Sequence, residues 1–247
     1  MKIGIQLYNF RQQLSEDFVG TLRRVATLGA DGVEFFSYGG MAPSELARLM
    51  AELKLECAGT MFDADELKKA DSEAWAYADA LDSPAVTISQ MCDFAAKWEE
   101  IRDLCQVIGR NAAAHGRLFS YHNHWAEFAK VRDTTAMELI LAGCDPKEVF
   151  MEPDICWLTR GGEDPAAFLR RHAGRIRQVH FKDIKTPDVP ETTAPLGEGV
   201  VDVAGCLTAA REIGAEWIIY EQDFTDDPFA CASKSVAFLK GRLSRMD

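Results

Sequence analysis

Short runs rich in β-branched and aromatic residues alternate eight times with amphipathic stretches along this chain, and that rhythm limits the fold more tightly than any single motif. A strand that hands over to a helix and returns as a strand in the same direction builds a parallel sheet, because the crossover keeps every strand pointing one way. The first run is KIGIQLY. The helix expected over 16–28 spaces Phe18, Leu22, Val25 and Leu28 on one face and stops at Gly29. GVEFF comes next, then PSELARLMAEL, whose Pro43 and Ser44 suit a helix start, then LECAGTMF. Helices expected over 64–81, 98–115, 134–142, 165–172, 203–213 and 231–243 alternate with AVTIS, LFSYHNH, VFMEPD, IRQVHFKD and EWIIYEQD.

Eight βα units in 247 residues are what an α/β chain needs to close as a single (β/α)8 TIM barrel. No linker or low-complexity tract marks a boundary, so one domain is expected over 1–247. The rival, a doubly wound open sheet, wants a glycine-rich phosphate loop after its first strand, and IQLYNFRQQL contains none. The longest irregular stretch, KTPDVPETTAPLGEGVVD, comes after the seventh strand, where a barrel carries a substrate loop.

A formal charge of −12 and a pI near 4.9 argue against a nucleic-acid or anionic-membrane surface, since phosphate binding needs clustered Lys and Arg. No apolar run approaches the roughly 20 residues of a membrane span, and the N-terminus lacks the order of a signal peptide. The expectation is a cytoplasmic protein. Its seven cysteines are scattered without a C-x-x-C pair, so neither a disulfide framework nor a structural zinc site is indicated.

Active sites of such barrels lie at the C-terminal ends of the strands, and here those ends are rich in polar groups. Strand five closes in His122, Asn123 and His124, strand six in Glu152 and Asp154, strand seven in His180, Lys182 and Asp183, and strand eight in Glu221, Gln222 and Asp223. Side chains alternate across a strand, so His122 with His124, Glu152 with Asp154, and His180 with Lys182 each share a face. Imidazoles and carboxylates converging from four neighbouring strands suit one divalent ion such as Mn²⁺, Co²⁺, Mg²⁺ or Zn²⁺. Gln6 and Tyr8 point to one side of strand one and can reach the same pocket. Glu34 closes strand two, where a buried acid needs a polar partner. Gly197 and Gly199 in LGEGVVD suit a tight turn.

The runs IQLYNFRQQL, DGVEFF, YHNHWAEF, MEPDICWLTRGGEDP, GRIRQVHFKD, GEGVVD and IIYEQD resemble the sugar phosphate isomerase/epimerase group of xylose isomerase-like TIM barrels, nearly end to end. The resemblance implies one ion held by a residue from each of strands five to eight, usually Glu, Asp, His and Glu. By motif these are Asp154 of PDICW, His180 of VHFKD and Glu221 of YEQD. The first position departs: many relatives carry Glu-Asn-His where this chain has His122-Asn123-His124, so His122 takes the place of the carboxylate.

The resemblance further implies proton transfer beside a sugar carbonyl through an enediolate, with Glu221 as one base and His122, His124, Glu127 or Glu152 as candidates for the opposite face. His122 is expected to be a ligand and His124 to touch substrate. Lys182 suits a sugar hydroxyl, carbonyl or phosphate oxygen, and Trp157 a sugar ring. The first expectation is therefore a metal-dependent isomerase or epimerase of a keto sugar or related carbonyl. A lyase or dehydratase on the same scaffold, acting on an inosose or a 3-keto-glycoside, begins with the same step. An AP-endonuclease-like repair enzyme is disfavoured by the acidic balance and by only five histidines. A sugar-binding barrel without chemistry is the remaining alternative. The partner is a small-molecule sugar, with neither nucleic acid nor membrane, and the helices are compatible with a homo-oligomer.

Overall fold

The computed structural model describes residues 1–246 and contains an eight-stranded parallel sheet curled into a nearly closed barrel. Its strands are β1 (Lys2–Gln6), β2 (Gly32–Phe35), β3 (Glu56–Met61), β4 (Ala85–Ser89), β5 (Leu118–His122), β6 (Val149–Glu152), β7 (Gln178–Phe181) and β8 (Trp217–Tyr220). β1 pairs with both β2 and β8, through Gly4↔Gly32 and Gly4↔Ile219, which joins the first strand to the last. The barrel is loosest between β6 and β7. Only the bridges Met151↔Ile176 and Asp154↔His180 tie that seam, with the His180 amide donating to the Pro153 carbonyl at 2.8 Å.

The strands are almost wholly buried, Ile3, Ile5, Val33, Val86, Ile88 and Phe119 among them, because helices cover the outside while side chains fill the inside. The helices meet the expected pattern with corrections at their ends. The helix expected over 16–28 is Phe18–Ala26, and a separate helix, Arg11–Glu16, precedes it, because Asp17 turns extended and its carboxylate accepts from the Gly20 amide at 2.9 Å. The 64–81 stretch is likewise broken into Ala64–Leu67 and Glu73–Ala80. The helix expected from residue 98 begins at Phe94, capped by Asp93, and the one expected from 231 begins at Pro228, capped by Asp227.

A helix that the sequence pattern does not announce, Ile155–Arg160, comes directly after β6. The irregular stretch after β7 is ordered by one carboxylate. Asp183 accepts from the amides of Gly197 and Gly199 at 2.9 Å each and of Val201 at 3.1 Å, and its own strand segment Asp183–Ile184 pairs with Thr193–Ala194. Gly197 sits at φ +86°, so the tight turn expected there is present. No helix among the described residues is long and apolar enough to cross a membrane.

Candidate active site and metal centre

At the C-terminal end of the barrel, β5 to β8 deliver His122, Asp154, His180 and Glu221 so that one ligand atom from each lies within 4.8 Å of the others. All four are buried. His122 is the last residue of β5 and His180 lies within β7, so strand geometry aims both rings inward. Asp154 is placed by a helix terminus. It caps Ile155–Arg160, its Oδ1 accepting from the amides of Cys156 at 2.8 Å and Trp157 at 3.0 Å, while its own amide donates to Asn123 Oδ1 at 3.2 Å. That leaves Oδ2 without a hydrogen bond, facing only the Lys182 ammonium at 3.2 Å.

His180 is engaged at both nitrogens. Nδ1 lies 3.1 Å from Glu221 Oε2, and Nε2 lies 2.7 Å from Glu34 Oε2 and 3.6 Å from Glu152 Oε1. Glu34 comes from β2, across the barrel, and the Gln6 amide donates to its Oε2 at 2.6 Å. Gln178 donates to Glu34 Oε1 at 3.3 Å and, in a shorter contact, to Glu152. Glu152 Oε2 also lies 3.6 Å from His122 Nδ1. A glycine makes this crossing fit, since a Cβ on Gly59 would fall 2.4 Å from Glu34 Oε1. Glu34, Glu152 and His180 form a second close trio. Its hydrogen bonds describe a support layer beneath the first cluster, with carboxylates fixing the nitrogen of His180 that points away from it.

Electrostatics separate these acids. Burial opposes the charge on Glu221, yet Lys182 at 2.9 Å and His180 hold its carboxyl well below the usual range. Burial likewise opposes the Lys182 ammonium, and Asp154, Asp223 and Glu221 overcome it, so this lysine stays charged. Its Nζ sits 2.8 Å from Asp223 Oδ2 and 4.7 Å above the Trp157 ring. Glu34 moves the other way: burial, then Glu152, push its carboxyl up. His124 is pushed down to about 3 by burial and then by His122, which makes it a neutral imidazole.

A cavity of about 880 Å³ opens over the cluster. Gln6, His122, His124, Trp157, Lys182 and Glu221 line it, so most residues expected to meet substrate border one space. Asp154 and His180 sit in the floor behind them. Two further candidates lie elsewhere. Glu152 is wholly buried behind His122 and His180, and Glu127 is wholly buried under His124, accepting from its amide at 3.1 Å and from the Tyr121 hydroxyl at 3.2 Å. Gln178 joins the site without having been expected there from the sequence. Its only signal is its position two residues before His180 on the same inward face.

The donor set fits a divalent ion. Two imidazoles and two carboxylates converge without a thiolate, and Asp154 Oδ2 is a buried carboxylate oxygen without a hydrogen bond.

Comparison with known proteins gives a consistent picture. A family model described as xylose isomerase-like TIM barrel matches residues 22–242. The inosose dehydratase of Lacticaseibacillus casei is 26% identical over 168 residues, covering 60% of this chain and 55% of that protein. The chain thus matches about half the length of that curated relative. A sugar phosphate isomerase/epimerase from Parabacteroides distasonis superposes with a TM-score of 0.79 at 21% identity, covering 96% of this chain and 93% of the other. IolI protein, solved with a bound zinc atom, superposes with a TM-score of 0.76 at 12% identity over 99% of each chain.

Proposed function

The chain belongs to the xylose isomerase-like TIM barrel family, and on that basis we propose that it is a divalent-metal-dependent enzyme that removes a proton beside the carbonyl of a keto sugar or keto polyol. The observation that carries this reading is the convergence of His122, Asp154, His180 and Glu221 beneath an open cavity. An ion held by these four supplies Lewis acidity toward the substrate's carbonyl. Glu221, kept ionised, accepts the proton from carbon. Lys182, kept as ammonium, donates to a substrate oxygen, and His124 with Trp157 positions the ring. Glu34 and Glu152 act behind the floor, orienting His180 and His122 rather than touching substrate.

The fate of the substrate after proton removal depends on where proton donors sit. The acceptor Glu221 and the donor Lys182 stand 2.9 Å apart, on one side of the cavity. Such a pair suits elimination: the carbon's proton passes to Glu221, the electron pair forms the new double bond, and the departing hydroxyl leaves as water with a proton from Lys182. Epimerisation instead needs acceptors on both faces of one carbon, and the position that carries a second carboxylate in many relatives is His122 here. Dehydration is therefore the better-supported outcome, in line with the dehydratase relative. Epimerisation is the second reading, favoured by one observation: His124 borders the cavity and is held neutral, as a second base must be.

Product analysis by NMR in heavy water on an inosose and a panel of keto sugars separates the two. Elimination loses water, whereas epimerisation keeps the formula and exchanges one carbon-bound hydrogen. The reading as a whole fails if untagged protein binds no stoichiometric divalent ion and Asp154→Ala leaves ligand affinity unchanged.

A further inference from the structure

The cavity is larger than the chemistry beneath it requires. Pockets for drug-sized ligands run from about 300 to 1,000 Å³, and this one, at about 880 Å³, is near the top of that range while the candidate ligands occupy only one side of its floor. The opposite wall, built after β1, β2 and β3, is aromatic. Tyr8 meets Phe36 edge to face at 5.1 Å between centroids, and Tyr38 stacks on Phe62 at 5.1 Å with an angle of 10°. The Tyr38 hydroxyl donates to the Met61 carbonyl at 3.1 Å, which turns that ring's polar edge into the protein. Met91 and Phe224, both exposed, extend the apolar surface to the mouth.

The charges around this space are mostly negative, and of its arginine and lysine Lys182 is paired with carboxylates while Arg11 bonds to neutral carbonyls. Arg11 and Lys182 are the arginine and lysine that border the cavity, against Asp63, Glu66, Glu191, Glu221 and Asp223. The Arg11 guanidinium donates to the carbonyls of Tyr8 at 3.1 Å and Asp223 at 2.7 Å, and Lys182 faces three carboxylates. The backbone amides of the glycine loop, which elsewhere cradle phosphate, are taken by Asp183. Among the residues that border the cavity, five carboxylates stand against one arginine and one lysine, so its field opposes a phosphate dianion.

We infer that the cavity has a second, distal subsite on the Tyr8–Phe36–Tyr38–Phe62 wall, and that it takes an uncharged ring attached to the reacting sugar, so that the substrate is an unphosphorylated two-ring compound. Aromatic faces hold such a ring by stacking or by contact with its axial C–H groups. Only the assignment of which end of the cavity holds the reacting ring rests on the proposed function.

Calorimetric titration of the Mn²⁺-supplemented protein tests it with probes that lack a free carbonyl and do not react: methyl β-D-glucopyranoside, 4-nitrophenyl β-D-glucopyranoside, methyl β-cellobioside and methyl β-D-glucopyranoside 6-phosphate. At least one two-ring probe should bind ten or more times tighter than the methyl glucoside, and which one does so identifies the second ring as aryl or sugar. Tyr8→Ala and Phe62→Leu should each cut that advantage to threefold or less while leaving the methyl glucoside unchanged. Equal affinities for one-ring and two-ring probes, or tightest binding of the methyl glucoside 6-phosphate, would overturn the subsite. If the two-ring preference persists in protein that retains no ion, the subsite stands and the metal-dependent reading falls alone.

Discussion

Strands β5 to β8 end in His122, Asp154, His180 and Glu221, whereas β1 to β3 lead into Tyr8, Phe36, Tyr38 and Phe62. One half of the rim gathers buried imidazoles and carboxylates, and the other is mainly aromatic, with Asp63 and Glu66 at its edge. Glu34 crosses the divide. It is the acid of β2, yet it lies wholly buried with its Oε2 against His180 of β7, so the second half reaches the cluster from beneath. A barrel closing on itself therefore need not spread its function evenly. Eight strand ends face one cavity, and under the proposed function the asymmetry of their residues puts reaction on one side and recognition on the other.

The substitution that most severely challenges this division of labour is Glu221→Gln. Loss of a positioned general base typically costs about 10²–10⁴-fold in rate, and turnover should fall by that much while circular dichroism and thermal midpoint stay close to wild type. Turnover within tenfold of wild type would remove Glu221 from the chemistry. Glu34→Gln tests the crossing and should act through affinity. Hydrogen-bond partners of a metal-bound histidine are worth about 10–100-fold in metal binding, so Mn²⁺ affinity measured by electron paramagnetic resonance should drop by that order. Gly59→Ala, whose methyl would land 2.4 Å from Glu34 Oε1, should reproduce part of the loss without touching any ligand. His122→Glu probes the one departure from the common ligand set. It should still retain one ion per chain by elemental analysis, with affinity within about tenfold of wild type, because carboxylate and imidazole are both donors for these ions. Loss of the ion would show that His122 and its surroundings are specific to imidazole.

The barrel was legible because its strands and helices repeat a pattern that local sequence carries, and the four candidate ligands were legible because each lies within two residues of a strand end, in the strand-five run or in a motif of the family the chain resembles. What escaped depends on contacts distant in sequence. Glu34 could be flagged as a buried acid in need of a partner, but nothing local names His180, 146 residues away. The short helix Ile155–Arg160 has six residues, too few for an amphipathic period, and its start is marked only by Asp154, which reads equally as a ligand and as a cap. In the fold its two oxygens part: Oδ1 holds the helix, and Oδ2 is left beside the Lys182 ammonium. Glu127 and Glu152 looked alike as acids near strand ends, and only packing separates them from the cavity.

Glu127 yields the prediction with the smallest effect on turnover. Burial pushes its carboxyl up to about 7, so it is neutral in the fold over a range where the unfolded chain has already lost the proton. Between the ordinary glutamate value and about 7 the folded state therefore binds more protons than the unfolded state, and stability must fall as pH rises through that window. Glutamine keeps an acceptor for the His124 amide and the Tyr121 hydroxyl but cannot ionise. Oε2 of Glu127 has no partner, so Glu127→Gln carries a constant cost that pH does not change. On top of that offset, its stability in urea should gain on wild type from pH 5 to pH 8 by about 2–3 kcal/mol, with turnover at neutral pH reduced by no more than a few fold. A gain in the opposite direction would mean that Glu127 is ionised in the fold. The reactive half of the barrel would then hold one more charge than the cavity-facing residues account for.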